Sequence, residues 1–352
     1  MADQHAFLAE PVFNGDSCEL AGTDVVAALN APLNWKRNTI WAAAFETAWR
    51  KLETDVIGGP IRLDRGGVTH DALRHAPPLP DDMLPEESRS AAHYVDAHNV
   101  AEIQAELDEA LAGYLLPSVP IEPNSLLAYA VMKAWVPFAL PYLDFERPLE
   151  FQDGPGKSAP VRSFGLWDKN IEKIEELRAQ PRLLYADYMP VQNHQRHARE
   201  FIVDLFADSA PCQIVIACVA PGSTLAGTLG GVEEKIKRGR NAKEFDYLDI
   251  LQVPEIAFGI VHSFSDLEGA NLLGTRFDRP YIKTALEGIR FQLDRNGAFV
   301  DAAAVMVAAC AGIMTTTYFV ANRPFLIYVK NRASKHPFFV MWVGNAELIR
   351  KW

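Results

Sequence analysis

Residues able to do chemistry are sparse in this chain, and none falls into a spacing that completes a site. His194, His197 and Glu200 lie three apart, so on a helix they would share a face and offer two imidazoles and a carboxylate to a metal ion. A zinc hydrolase of the H-E-x-x-H type needs a glutamate directly after the first histidine to activate water, and Gln195 stands there instead. A strand-like run begins at Phe201, so the expected reading is a polar loop. His93 and His98 flank Asp96 in another polar stretch and receive the same reading. Gly222-Ser223-Thr224 and Gly227 to Gly231 precede a helical pattern. They lack the Lys-Ser/Thr of a phosphate loop and the G-x-G-x-x-G order. No G-x-S-x-G elbow occurs. Cys18, Cys212, Cys218 and Cys310 form no C-x-x-C pair. Cys212 and Cys218 share one face of a strand-like run and read as small buried apolar residues. The expectation is no catalytic set, no metal, no cofactor and no enzyme.

The 352 residues are 49% hydrophobic and 22% charged, enough for one large domain with a sizeable core. A net charge of −11 makes the chain a poor partner for nucleic acid or an anionic membrane. The longest apolar run, Ala302 to Gly312, is too short to span a bilayer. Met1 to Phe7 lack the basic start and apolar stretch of a secretory signal, so the expected location is cytoplasmic. Oligomeric state is left open.

The elements that would position any site divide into two parts. Residues 1–120 read as mainly helical. Asp24 to Leu29 is a short apolar helix candidate behind Thr23. Trp41, Phe45, Ala48, Trp49 and Leu52 recur at helical spacing after the cap candidates Asn38 and Thr39, and Gly58-Gly59-Pro60 ends that helix. Ala76 to Glu87 is a Pro-rich acidic loop, and Val100 to Leu115 is a second amphipathic helix stopped by Pro117. Residues 121–352 read as sheet-rich. Leu126 to Trp135 is apolar on both faces, as a central strand would be. Strands are expected over Leu149–Gln152, Val161–Leu166, Phe201–Phe206, Gln213–Val219 and within Phe245–Val261. Helices are expected over Asp168–Arg178, Leu225–Arg238 and Phe264–Leu273. With no internal repeat and no linker, the fold class is α+β, one domain over 1–352 with large mixed or antiparallel sheets.

The C-terminal fifth carries the sharpest pattern. Phe291 to Asp294 closes a strand, Gly297 turns the chain, and an alanine-rich run follows from Asp301 to Gly312. Phe325 to Val329 and Pro337 to Val343 then form an apolar hairpin within 324–343. This order resembles the C-terminal end of serpins, where a hinge, an exposed alanine-rich loop and a buried hairpin follow one another. Lys133-Ala134-Trp135-Val136-Pro137-Phe138, the turn from Glu150 to Val161, and Val253 to Phe258 followed by His262 to Leu267 also resemble serpin segments, and Ala31-Pro32-Leu33-Asn34 is a fainter echo.

The resemblance implies a reactive loop within 298–322, with a hinge over Gly297, Ala298, Phe299, Val300, Asp301, Ala302, Ala303 and Ala304. It implies a scissile bond near Ala311–Gly312 and a serine-type protease as partner. In that family cleavage lets the loop enter a sheet as an extra strand and discharges stored strain. The residues suit this. One face of an extended run carries Ala298, Val300, Ala302, Ala304, Met306, Ala308 and Cys310, and Asp301 falls on the other. No proline intervenes before Pro324. Phe299 and Val300 are bulkier than the small residues of inhibitory members. Two arrangements stay open: an insertable loop, or a segment buried permanently in the fold. The functional expectation is a suicide inhibitor of a small-residue-specific serine protease, the alternative a non-inhibitory serpin-fold binding or scaffold protein.

Overall fold

The computed structural model describes residues 10–113, 116–132, 134, 136–154, 157–168, 173–239, 243–297 and 315–352. The first described elements are three short strands, β1 (Phe13–Asp16), β2 (Thr23–Val25) and β3 (Asn38–Ala42). The helix expected over Asp24 to Leu29 does not form. β2 pairs in parallel with β3 instead, and the Arg37 guanidinium donates to Asp24 at 2.7 Å and to the Thr23 carbonyl. Asn38 and Thr39 are strand residues rather than caps, because Ile40 and Trp41 bury completely beside the strand Pro337–Val343. The helix α1 (Ala43–Lys51) starts after them with no side-chain cap. It passes into a π-helical turn, Leu52–Ile57, that ends at Gly58, whose φ of +81° lies in the left-handed region where glycine is unstrained.

Next come α2 (Val68–His75), unanticipated because only Val68, Ala72 and Leu73 are apolar in it, then β4 (Arg89–Val95), α3 (Val100–Leu111) and β5 (Ser125–Val131). Short strands follow: β6 (Leu143–Asp144), β7 (Leu149–Gly154), β8 (Lys157–Val161) and β9 (Ser163–Leu166). After α4 (Ile174–Ala179) the chain runs through β10 (Arg182–Tyr188), β11 (Gln195–Asp204) and β12 (Cys212–Cys218) to α5 (Leu225–Arg238). α5 begins where expected. Thr224 caps it, its hydroxyl accepting from the Gly227 N–H at 2.9 Å, and Lys235, Lys237 and Arg238 complement the carbonyl end of the helix dipole. β13 (Ile250–Pro254) and β14 (Ile256–Ser263) precede Phe264–Leu273, where turns replace the expected helix. There Phe264, Leu267 and Ala270 point into the core, and the Phe264 N–H donates to Ala285. The last strands are β15 (Leu286–Leu293), β16 (Thr316–Val320), β17 (Phe325–Asn331) and β18 (Pro337–Val343).

Among the described residues eleven strands form one mixed sheet in the order β2-β3-β18-β17-β12-β11-β16-β13-β9-β6, with β10 branching from β11. The hairpin β17–β18 sits inside it between β12 and β3, and all seven residues of β18 are buried, so its two apolar faces both lie in the core. Three small sheets complete the fold: β1-β14-β15, β4-β5 and β7-β8. β5 corrects an expectation. It is not central but pairs with β4 alone among the described residues, and it is half-buried. Its two apolar faces arise because it packs against both α1 and α3.

Candidate functional site: a cleft between two strand edges

A cavity of about 410 Å³ opens between β5 and β15. One wall is the unbroken run Leu127 to Met132, and the other the unbroken run Thr284 to Leu293. Successive strand residues point to opposite faces, so unbroken runs mean that the cavity follows the strand edges rather than one face of a sheet. The pairing agrees. Among the described residues β5 bonds only to β4 and β15 only to β14, so each has one edge that no described strand pairs. Such an edge offers a row of N–H and C=O groups to any extended segment that reaches it. Apolar side chains line the rest: Phe45 and Ala48 of α1, Leu107 and Leu111 of α3, and Val329 and Phe339 of the large sheet. The cleft can therefore accept a strand that is apolar on the side facing these residues.

Gly297 lies at the end of this cleft and lines it. Its φ is +51°, and a Cβ there would collide with the Phe138 backbone N, lie 2.7 Å from the Phe138 ring and come within 2.9 Å of the Val136 carbonyl. Only glycine fits both the conformation and the space. The turn before it is tied to the chain that leaves β5. The Tyr142 N–H donates to the Arg295 carbonyl at 2.8 Å, and Arg295 pairs with Asp144 at 2.7 Å. Gly297, just past one cleft wall, thus lies against the chain that leaves the other. The rest of the expected hinge, Ala298, Phe299, Val300, Asp301, Ala302, Ala303 and Ala304, lies outside the described residues, as does the expected scissile pair Ala311 and Gly312. Residues 298–314 connect β15, at the cleft, to β16, which is held in the large sheet between β11 and β13.

Two acids that sequence reasoning missed sit where α1 meets β15. Glu287, in the cleft wall, is 3% exposed, and Glu46, next to Phe45, is 1% exposed. The Phe45 N–H donates to Glu287 Oε1 at 3.2 Å, while Oε2 has no hydrogen-bond partner. Burial pushes the Glu287 carboxyl up to about 8, and the Glu46 charge adds to the rise. Burial likewise pushes Glu46 up to about 7 against the pull of Arg50, whose Nη2 is 3.8 Å from it. Each sits in an apolar pattern. Glu46 falls within the aromatic stripe of Trp41, Phe45 and Trp49. Glu287 falls in the period-two row Ala285, Ile289, Phe291. A charge inside an apolar row was the signal available in the sequence.

The other candidates do not assemble. His194 sits in a turn at φ +59°, His197 stacks on Tyr318 with ring centroids 4.8 Å apart, and Glu200 binds Lys235 at 2.6 Å. Gln195–Asp204 is a strand with a register shift between Ala198 and Glu200, so the helical spacing that would gather these residues does not apply, and each is engaged by a separate partner. Among the described residues no group of three His, Cys, Asp or Glu could hold a metal ion. His93 binds Glu106 at 3.3 Å, and the His98 N–H donates to Asp96. The glycine-rich loop satisfies itself, the Gly222 N–H donating to Thr228 at 2.9 Å. Cys212 and Cys218 are buried free thiols, and burial pushes Cys218 up to about 12, far from a nucleophile's range. Cys310 lies outside the described residues. No described helix is long and apolar enough to cross a membrane.

No family model matches the chain, and no curated protein matches it. Among solved structures it is similar to Serpin48, a highly specific serpin of the insect Tenebrio molitor, at 13% identity over 87% of this chain and 91% of that one, with a TM-score of 0.45. It is similar to the thermophilic serpin tengpin in its native state at 13% identity over 75% of each chain, with a TM-score of 0.40. It is also similar to thyroxine-binding globulin in complex with thyroxine at 13% identity over 71% of this chain, with a TM-score of 0.42. There it spans 65% of the partner's length, just under two thirds. The chain is similar to serpins in fold, as a divergent α+β chain, and that likeness reaches no further than the fold.

Proposed function

We propose that this chain is a serpin-like protein whose cleft takes up residues 298–310 as an added strand after cleavage, and that it thereby traps a serine-type protease. The observation that carries this reading is the cleft between β5 and β15, whose facing edges no described strand pairs, with Gly297 lining its end where that segment departs. The chemistry of the segment supports it. One face from Ala298 to Cys310 is uncharged and apolar, matching an apolar cleft, and no proline interrupts the ladder. The proposed scissile bond is Ala311–Gly312, with Ala309 and Cys310 before it. Small side chains there suit a shallow primary pocket of the elastase or subtilisin kind rather than a trypsin pocket that demands Lys or Arg.

The test is incubation with elastase, subtilisin and trypsin, read on denaturing gels and by mass spectrometry. The expected result is a covalent adduct with the first two enzymes, formed at a single cut within Ala308 to Thr316, and no cut in this stretch with trypsin. If all three cut only within Ala76 to Glu87, the loop reading fails. Phe299 and Val300 favour a second reading. Bulk at the hinge slows entry of a strand, and slow entry lets a protease finish hydrolysis. The protein would then be a non-inhibitory binding or scaffold protein of the same fold. A clean nick without adduct selects that reading.

A further inference from the structure

The acids beneath the cleft have no role in accepting a strand, and they are placed as few structural residues are. Glu287 belongs to the cleft wall and accepts from the backbone of α1 at Phe45. Glu46, the next residue of α1, leaves Oε1 without a hydrogen bond, as Glu287 leaves Oε2. Two carboxyl groups, both all but fully buried and both short of partners, therefore share the contact between α1 and β15. We propose that Glu46 and Glu287 form a proton-held latch on this contact, and that ionisation of either carboxyl loosens the cleft and speeds entry of a strand. This rests on the strand-accepting reading above and adds its regulation.

The physical reasoning is local. A neutral carboxyl at Glu287 can receive the Phe45 N–H without bringing a charge into an apolar wall. An ionised one spreads a negative charge onto Oε2, which no donor meets, and burying it is unfavourable unless water enters or α1 draws back. Either response widens the gap between β5 and β15, since α1 packs against both. The neighbouring charges do not cancel the effect. On α1, Arg50 is 3.8 Å from Glu46 but is shared with Glu53 at 2.9 Å and with the carbonyls of Leu73 and Ala76. Glu53, on the π-helical turn, is held by the indole N–H of Trp49 and the N–H of Ile61. On β14, His262 is the cross-strand neighbour of Glu287, but it hydrogen-bonds Ser17 at 2.7 Å, and burial pushes its pKa down. On β15, Arg290 lies three positions on and hence on the opposite face. On β5, Tyr129 donates to Glu106, which also holds His93 of β4. The carboxyls rise to about 7 and about 8, so the latch would release between neutral and mildly alkaline pH.

The experiment uses the full chain and a rhodamine-labelled synthetic peptide with the sequence of residues 298–309 and a soluble lysine tail. Its rate of incorporation is followed by anisotropy from pH 6 to pH 9. Wild type should take up the peptide at least about tenfold faster at pH 9 than at pH 6, the least that full ionisation of one such carboxyl should produce. Glu287→Gln and Glu46→Gln keep the shape of the neutral acids. Each should reduce that acceleration, and the double variant should be slow at every pH. Peptide uptake with a flat or falling pH profile in wild type overturns the latch and leaves the strand-accepting cleft intact. An unchanged acceleration in the double variant overturns it as well. No uptake at any pH overturns both proposals together.

Discussion

Glu287 shows how one residue ties stability to pH in this fold. An exposed glutamate titrates near about 4.3, whereas burial holds this one up to about 8. The folded state thus binds a proton that the unfolded chain releases, so the acid's contribution is fully present below about pH 4 and is lost as pH rises through 8. Glu287→Gln removes that loss. Its melting temperature should match wild type at pH 4 and exceed it at pH 8.5, by a gain on the order of a few kcal/mol. Equal melting temperatures at both pH values would mean that folding does not raise the Glu287 pKa. Gly297 makes a second residue-scale prediction. Gly297→Val sets a branched side chain against Phe138 at a φ of +51° and should lower stability by roughly 1–3 kcal/mol. A variant as stable as wild type in urea would show that the chain at Gly297 is free to move away from Val136 and Phe138.

At the scale of elements, the C-terminal hairpin is the firmest unit. β18 is buried along its whole length between β17 and β3. A chain ended at Asn331 loses it and exposes the apolar flanks of both neighbours, so it should give no cooperatively melting product. A truncated chain with a sharp thermal transition would refute this. The hairpin and α5 were legible in the sequence because their burial or capping is decided locally, by continuous apolar runs and by Thr224. Gly297 was legible for the same reason, as a glycine at the end of a strand. Asp24 to Leu29 and Phe264 to Leu273 misled because distant partners decide them: Arg37 and β3 for the first, Ala285 and the core for the second. The cleft itself was not legible. The apolar faces of Leu126 to Val131 predict burial, but periodicity cannot say whether a strand edge is paired. The two floor acids were readable as breaks in apolar rows, yet only the contact of α1 with β15 shows that they meet.

Across the whole molecule, the topology separates two strands that follow one another in the chain. β15 ends at the cleft in a three-stranded sheet, and β16 begins between β11 and β13 in the large one. Residues 298–314 must join the two. If cleavage frees that segment, filling the cleft would pair both open edges and bury the apolar row from Ala298 to Cys310, and the fold should gain strongly in stability. Ala302→Arg would place a charge on that row and should remove most of the gain, several kcal/mol, while leaving the uncleaved protein unchanged. The most direct measurement is the melting temperature of the chain before and after a single elastase nick within Ala308 to Thr316. A cleft that accepts the segment requires the nicked wild type to melt well above the intact protein and nicked Ala302→Arg to melt near it. A nicked wild type that melts at or below the intact protein would contradict strand uptake by this cleft.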